Sequence, residues 1–421
     1  MTRVFKFGGA LMKDADGIRR VASIVADYQL EPLVVIVSAL GKTTNSLEEL
    51  LGLSRIGDQK GREKVFIKLR KYHFEMADDL IEDARHIIFD QLDELFVLLN
   101  KALKETPADK YFHYDQVVGF GEQLSSLIVS AYLQKNGQAT HLVNAHTLIV
   151  TDSNYTAAKI DWKLTENTIK SRVLPILENG EIVITQGFIG ADHKGLFTTL
   201  GREGSDFTAA IFANVLDADE ACIWKDVPGL MNADPKRFDD SVKLDNISYH
   251  EAIELAFYGA SVVHPKTIQP VQHKNIPLKI RSFYEPESEA TVINSETSKD
   301  NQVHKVIVKD NQVLLSIASR DLAFIAEENL TRIFKAFSRN KIHINLMQHS
   351  AVSFSVCFNE DDDKLQALMA ELKEAFRLTY NTGLTLITIR HYTNELLEEF
   401  TSGKNIFLEQ KSRSTVQVLV G

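Results

Sequence analysis

Residues 197–236 read FTTLGREGSDFTAAIFANVLDADEACIWKDVPGLMNADPK. This stretch packs a glycine-rich loop, an arginine, a Ser-Asp pair, an amphipathic helix pattern, a strand and a second polar loop into one segment. A glycine-rich turn that opens a helix is a ready phosphate site, because its backbone N–H groups are unpaired and the helix dipole favours negative charge. A second such turn stands near the amino end, where KFGG (Lys6 to Gly9) follows a strand-like run. One loop of this kind carries little weight. Two, joined by a basic residue and an acid, point to a nucleotide and its transferring phosphate.

Working outward, strand-like runs alternate with helical patterns through residue 285. Residues 4–7 lead into Gly8-Gly9, followed by an amphipathic pattern over 16–28. LVVIVS (33–38) is a continuous apolar run, the mark of a strand buried on both faces. Residues 57–105 carry helical periodicity, strongest over 84–103, where Ile87, Ile88, Leu92, Leu95, Phe96 and Leu99 form a stripe that reads as core. A turn and helix follow over 119–137, then strands at 139–144, 182–186, 221–224 and 278–281. This alternation predicts a three-layer α/β/α domain over residues 1–285, built on a mostly parallel sheet.

EPESEATVINSETSKDNQ (285–302) is polar and turn-rich, so residues 286–302 read as a linker. Beyond it the order is strand 313–319, helix 329–339, strands 342–347 and 352–358, and helix 363–376. That order predicts a ferredoxin-like module over 303–380. Strand 384–391, a short helix at 394–401 and strands 405–410 and 415–420 read as a shortened second copy over 381–421.

The 421 residues suit two or three domains, and 44% are hydrophobic, enough for ordinary cores. A net charge of -10 argues against a general nucleic-acid role. The two cysteines, Cys222 and Cys357, fall in different predicted domains and read as reduced, buried thiols of a cytoplasmic protein. No Cys/His spacing suits a metal, no secretory signal pattern opens the chain, and no apolar run reaches membrane-spanning length.

Several residues in these loops suit chemistry. Gly8 and Gly9 let backbone approach a phosphate, and Lys6 beside them can neutralise charge on a transferring phosphoryl group. An exposed lysine before a structural turn fits that segment equally well. Ser38, Thr43 and Thr44 follow a buried strand, where open α/β sheets form their ligand crevice. Thr44 also suits a helix cap. Glu122, in the turn GFGEQLS, suits a substrate ammonium, although an acid is favoured in any first helical turn. Arg202 presents a planar fork that matches a carboxylate. Asp206 suits a partner for Lys6, or a simple N-cap. Asp226, Met231 and Lys236 lie in loops that suit a nucleotide, or that are only turns. His264-Pro265-Lys266 reads as a structural helix start.

Taken in order, KFGG, VVIVSALGKTTN, GFGEQLS, TTLGREGSDFTAA, WKDVPGLMNADPK and SYHEAIELAFYGASVVHPKTI resemble the aspartokinases of the amino-acid kinase superfamily, over almost the whole chain. The resemblance implies the amino-acid kinase fold followed by ACT regulatory modules, with ATP and Mg transferring phosphate to the side-chain carboxylate of L-aspartate. It assigns Lys6 to the phosphoryl group and Asp206 to orienting the basic groups. Ser38, Thr44, Glu122 and Arg202 would hold aspartate. Lys6, Gly8, Gly9, Lys225, Asp226, Met231 and Lys236 would contact nucleotide. It also implies a homodimer through the ACT region, with strand edges at 342–347 and 352–358. No membrane or nucleic-acid partner is expected, and no fused homoserine dehydrogenase, since no second Gly-rich dinucleotide pattern follows.

The chain departs from the family pattern at several positions. Ala10-Leu11 stand for Thr-Ser, Glu203 for a glycine, Lys225 for a threonine and Ser261 for a lysine. In the tail, the loop after strand 313–319 lacks its glycine over 322–328, and Ala351 replaces an acid. These changes predict weak response to lysine or threonine. They also keep open a non-catalytic amino-acid sensor on the same fold, or a relative acting on another acceptor.

Overall fold

The computed structural model describes residues 1–260, 263–320 and 324–421, which form two compact units. The first holds residues 1–230, 243–253 and 261–297, of which 261 and 262 lie outside the description. Its central sheet has eight strands. In spatial order they are Thr140–Leu142, Ile182–Gln186, Leu33–Val37, Arg3–Phe7, Glu220–Lys225, Leu278–Ser282, Thr291–Asn294 and Asn246–Ser248. Every neighbouring pair is parallel except Leu278–Ser282 with Thr291–Asn294.

All five residues of Leu33–Val37 are buried, as an apolar run covered on both faces requires. Phe5, Phe7, Val35 and Trp224 face one large apolar cluster, to which helices Ala15–Ala26, Gln59–Ile81, Ile88–Lys104 and Phe120–Lys135 contribute. Helix Gly204–Val215 packs on strands Arg3–Phe7, Leu33–Val37 and Glu220–Lys225. A small sheet of Val150–Thr151, Ile189–Asp192 and Phe197–Thr199 was not anticipated. Its strands have two to four residues, too short to show a period.

The periodic stretch 57–105 is helical as expected, in two long helices parted where Glu82 adopts a left-handed C-cap at φ 56°. Three readings of this unit need correction. Ile87, counted in the core stripe, is exposed. The turn expected to open a helix at 119–121 is one residue, Gly119, right-handed helical between Lys110–Val118 and Phe120–Lys135. Gly121 is glycine for another reason: a Cβ there would sit 2.9 Å from that of Ala39. Finally, the expected linker 286–302 contributes strand Thr291–Asn294 to the main sheet.

The second unit holds residues 231–242, 254–260 and 298–421. The contiguous boundary at 285 therefore does not describe it. Ala233 and Phe238 pack on the cluster of Val306, Ile389 and Val418, and Val306 N–H donates to the Asn232 carbonyl. Arg390 pairs with Glu254 at 3.0 Å. The sheet of this unit is antiparallel, in the order Ile344–His349, Ser353–Asn359, Lys305–Ser319, Phe376–Arg390, Thr415–Val420, Ile406–Lys411.

The two ferredoxin-like halves are not serial. Lys305–Ser319 and Phe376–Arg390 pair along both halves, with register shifts between Lys309 and Leu314. Residues 305–309 complete the half that also contains Asn394–Thr401, so a border at 380/381 cuts through a strand. Ser353–Asn359 is interior, and the edges are Ile344–His349 and Ile406–Lys411. The helix over 363–376 stops at Leu372, and Phe376 already starts a strand. Cys222 and Cys357 are buried free thiols. No helix among the described residues is long and apolar enough to cross a membrane.

Candidate active site

Side chains alternate across a strand. Phe5 and Phe7 face the apolar cluster, so Lys6 emerges on the opposite face, along which helix Gly204–Val215 packs. There Lys6 Nζ lies 2.6 Å from Oδ1 of Asp206, and both side chains are largely buried. Asp206 stands in the first helical turn, where the dipole favours an acid. It is not the N-cap, since that position belongs to Glu203 at φ 54°. Thr44 is no cap either: its helix runs Thr43–Ile56 with Lys42 at the N-cap.

The loops after three parallel strands converge here. Ser38 N–H bonds the Phe7 carbonyl at 3.3 Å, Gly41 N–H bonds the Gly9 carbonyl at 2.9 Å, and Gly187 N–H bonds the Val37 carbonyl at 2.9 Å. The crossing of the first two loops explains Gly9. A Cβ there would sit 2.0 Å from the Ala39 carbonyl oxygen. Packing between loops therefore demands this glycine, whatever it does toward a phosphate.

Glu122 lies under this crossing. One carboxylate oxygen accepts the Ala39 N–H at 3.3 Å, and the other, Oε2, is buried with no partner. Burial drives its pKa up to about 8, against the pull of that N–H and of the Lys6 charge. A buried carboxyl with an open oxygen suits an incoming cation.

The far wall is fixed by Asp115. Its carboxylate accepts Thr199 N–H and Oγ1, each at 2.8 Å, and Thr156 N–H at 3.0 Å. Burial raises its pKa, and these donors oppose the rise. Behind the Thr43 end, His73 Nε2 lies 3.4 Å from Thr43 Oγ1, while its Nδ1 bonds the Leu69 carbonyl. Burial lowers the His73 pKa to about 4, so its ring is neutral.

Together these parts enclose a cleft of about 800 Å3. Lys6, Gly9, Ser38, Thr44, Glu122, Arg202, Asp206 and Lys225 all line it, as do the divergent Ala10 and Glu203. Arg55, Lys110, Tyr111, Tyr114, Thr156, Phe188 and Thr199 line it too and were not anticipated. Arg55 lies in the last turn of its helix, and its bond to the Lys110 carbonyl at 2.6 Å joins segments far apart in sequence. Sequence periodicity carries no trace of that contact.

Gly8 and Asp226 are not among the lining residues, and Asp226 is exposed beyond its strand. Met231 and Lys236 belong to the second unit, where the Lys236 N–H closes a turn on Asp234. His264 caps helix Pro265–His273 through Nδ1, as its structural reading requires. Ser261 and Leu322 lie outside the described residues.

Comparison with known proteins agrees with this geometry. The amino acid kinase family model matches residues 1–282. The chain is 30% identical over 418 residues to lysine-sensitive aspartokinase 3 of Escherichia coli (strain K12), covering 96% of this chain and 90% of that one. It is also 30% identical to the chloroplastic bifunctional aspartokinase/homoserine dehydrogenase 2 of Zea mays, but spans only 42% of that protein's length. Among solved structures, E. coli aspartokinase III with lysine and aspartate (T-state) superposes with a TM-score of 0.85 at 27% identity, covering 100% of this chain and 96% of that one. The same enzyme with aspartate and ADP (R-state) gives a TM-score of 0.82 at 27% identity, with the same coverage. On the family match and the near full-length likeness, the chain belongs to the aspartokinase branch of the amino acid kinase family.

Proposed function

We propose that the protein transfers the γ-phosphoryl group of ATP to the side-chain carboxylate of L-aspartate. The observation that carries this reading is the Lys6–Asp206 pair, set in one cleft with Ser38, Thr44, Glu122 and Arg202. The relatives named as aspartokinases, one of them solved with aspartate and ADP, support it.

The acceptor is already ionised at neutral pH, so no general base is needed. The protein's work is positioning and charge neutralisation. Arg202 receives the α-carboxylate on its planar fork. The open oxygen of Glu122 receives the ammonium. Ser38 and Thr44 orient the reacting carboxylate toward Lys6, which Asp206 holds in place. As charge spreads over the transferring phosphoryl oxygens, the Lys6 ammonium stabilises it. Magnesium travels on the nucleotide's phosphates as part of that substrate. Gly8, Gly9, Lys225 and Asp226, all of the first unit, contribute nucleotide contacts.

The second unit carries a homodimer, joined through the strand edge Ile344–His349. The product serves amino-acid biosynthesis toward lysine, threonine and methionine. The sensor alternative rested partly on Glu203, whose carboxylate accepts the His264 N–H at 2.7 Å.

The test is aspartate-dependent formation of ADP with the acyl phosphate trapped as its hydroxamate. ADP and hydroxamate should appear in equal amounts with aspartate. Formation of neither, or a clear preference for glutamate, overturns the assignment.

A further inference from the structure

Glu203 stands where the family pattern has glycine, and the backbone explains the pattern. The residue sits at φ 54°, ψ 29°, a left-handed conformation that favours glycine. The side chain explains the exception. Oε2 of Glu203 accepts the backbone N–H of His264 at 2.7 Å. Glu203 immediately precedes helix Gly204–Val215, and His264 immediately precedes helix Pro265–His273. The carboxylate makes no capping bond to its own helix; it ties the residue that opens one helix to the residue that opens the other.

Those helices are tied at their other ends as well. Asn214 Nδ2 donates to the Pro270 carbonyl at 2.8 Å, and Lys274 Nζ donates to the Asn214 carbonyl at 2.7 Å. The distal tie lies away from the cleft. The Glu203 tie lies at its lip, next in sequence to Arg202 and three residues before Asp206. Burial lowers the His264 pKa, with the Glu203 charge opposing, so a neutral ring continues to cap its own helix.

We propose that Glu203 is a positioning residue, whose bond to the His264 N–H fixes the turn carrying Arg202 and so sets the affinity for the acceptor amino acid. The inference rests on the aspartate reading for its kinetic consequence, but not for the tie itself. Glu203 touches no reacting atom; it acts through the turn. Its loss therefore falls on KM, while the Lys6–Asp206 pair keeps the chemical step.

Three substitutions in the full chain separate the possibilities. Glu203→Ala removes the carboxylate and keeps a Cβ in the left-handed conformation. Glu203→Gly removes it and relieves the backbone. Glu203→Gln keeps an acceptor oxygen. Aspartate KM should rise about tenfold or more in the alanine and glycine variants, the cost of a lost hydrogen bond to a charged acceptor. It should return to within about threefold of wild type in the glutamine variant. Wild-type KM in either the alanine or the glycine variant overturns the proposal, and so does glutamine as damaged as alanine. Amide hydrogen exchange in a peptide containing His264 reads the tie without any assay of activity. It should quicken about tenfold or more in Glu203→Ala. Unchanged exchange refutes the tie, whereas a wild-type protein inactive toward aspartate refutes only the aspartate reading.

Discussion

Lys6 Nζ and Asp206 Oδ1, 2.6 Å apart, join the second residue from the end of one strand to the first turn of a helix on the opposite side of the sheet from Phe5 and Phe7. A cation held by a buried acid is aimed before any ligand arrives. Lys6→Ala should therefore lower kcat by about a hundredfold or more, with little change in aspartate KM. Steady-state kinetics at saturating ATP check this, and a near-normal kcat would remove Lys6 from the transfer step.

Arg202→Lys tests the other end of the acceptor. A point charge cannot replace a bidentate fork, so aspartate KM should rise by about tenfold while kcat falls much less. If the substitution weakens ATP instead, Arg202 belongs to the nucleotide.

Glu122 gives a pH signature. With its pKa raised to about 8, the free protein holds Glu122 mostly protonated at pH 7. The ammonium of aspartate needs the ionised form. Aspartate KM should therefore fall as pH rises from 7 to about 9, before the ligand's own ammonium deprotonates, and binding at pH 7 should release a proton. Titration calorimetry in two buffers of different ionisation heat measures that release. A KM independent of pH across this range would detach Glu122 from the ammonium. The stability consequence has the opposite sense. The folded state holds a proton that the unfolded chain sheds above about pH 4.5, so this group's contribution declines between about pH 4.5 and 8.

His73 works the other way. Its folded pKa is about 4, against an ordinary 6.5, so the unfolded chain takes the proton first. Its contribution is complete above about pH 6.5 and is lost as pH falls toward 4, by up to about 3 kcal/mol. Urea unfolding of wild type and His73→Phe at pH 7 and pH 5 measures the difference. The phenylalanine variant should lose less stability on acidification, and equal losses would contradict the buried neutral ring.

Regulation should be weak. Ala351 stands where the family pattern has an acid, and its carbonyl is engaged by the Ile325 N–H at 2.9 Å. An alanine side chain offers no acceptor to an effector ammonium. Lysine or threonine added to the aspartate assay should leave the rate within about twofold; inhibition by sub-millimolar lysine (~0.1–1 mM) would show that another residue supplies the acceptor.

The parts legible in the sequence were those with a strong period or a loop that ends a strand. Leu33–Val37 announces itself because every position is apolar, and Lys6, Ser38, Thr44, Arg202 and Asp206 follow from loop chemistry at strand ends. What stayed hidden depends on contacts between distant segments. Arg55 and Lys110 reach the cleft only because two helix ends meet there. Gly119-Phe120-Gly121 looks like a turn, yet its glycines serve helix packing against Ala39 and Ile189. Thr291–Asn294 sits in a polar stretch that hides its alternation, since only Thr291 and Ile293 are buried.

The strand Lys305–Ser319 pairs along both halves of its sheet, and this bears on how the chain reaches its native form. Its first residues, 305–309, find their partners at 386–390, beyond two helices and two strands of intervening sequence. Such a pairing must wait for a large loop to close, so it forms slowly and late. A nascent chain that has not yet emerged past residue 386 has no strand to pair with Lys305–Lys309. During that interval the strand presents an unpaired apolar edge at Val306 and Val308, the condition under which chaperones are engaged and neighbouring chains stick.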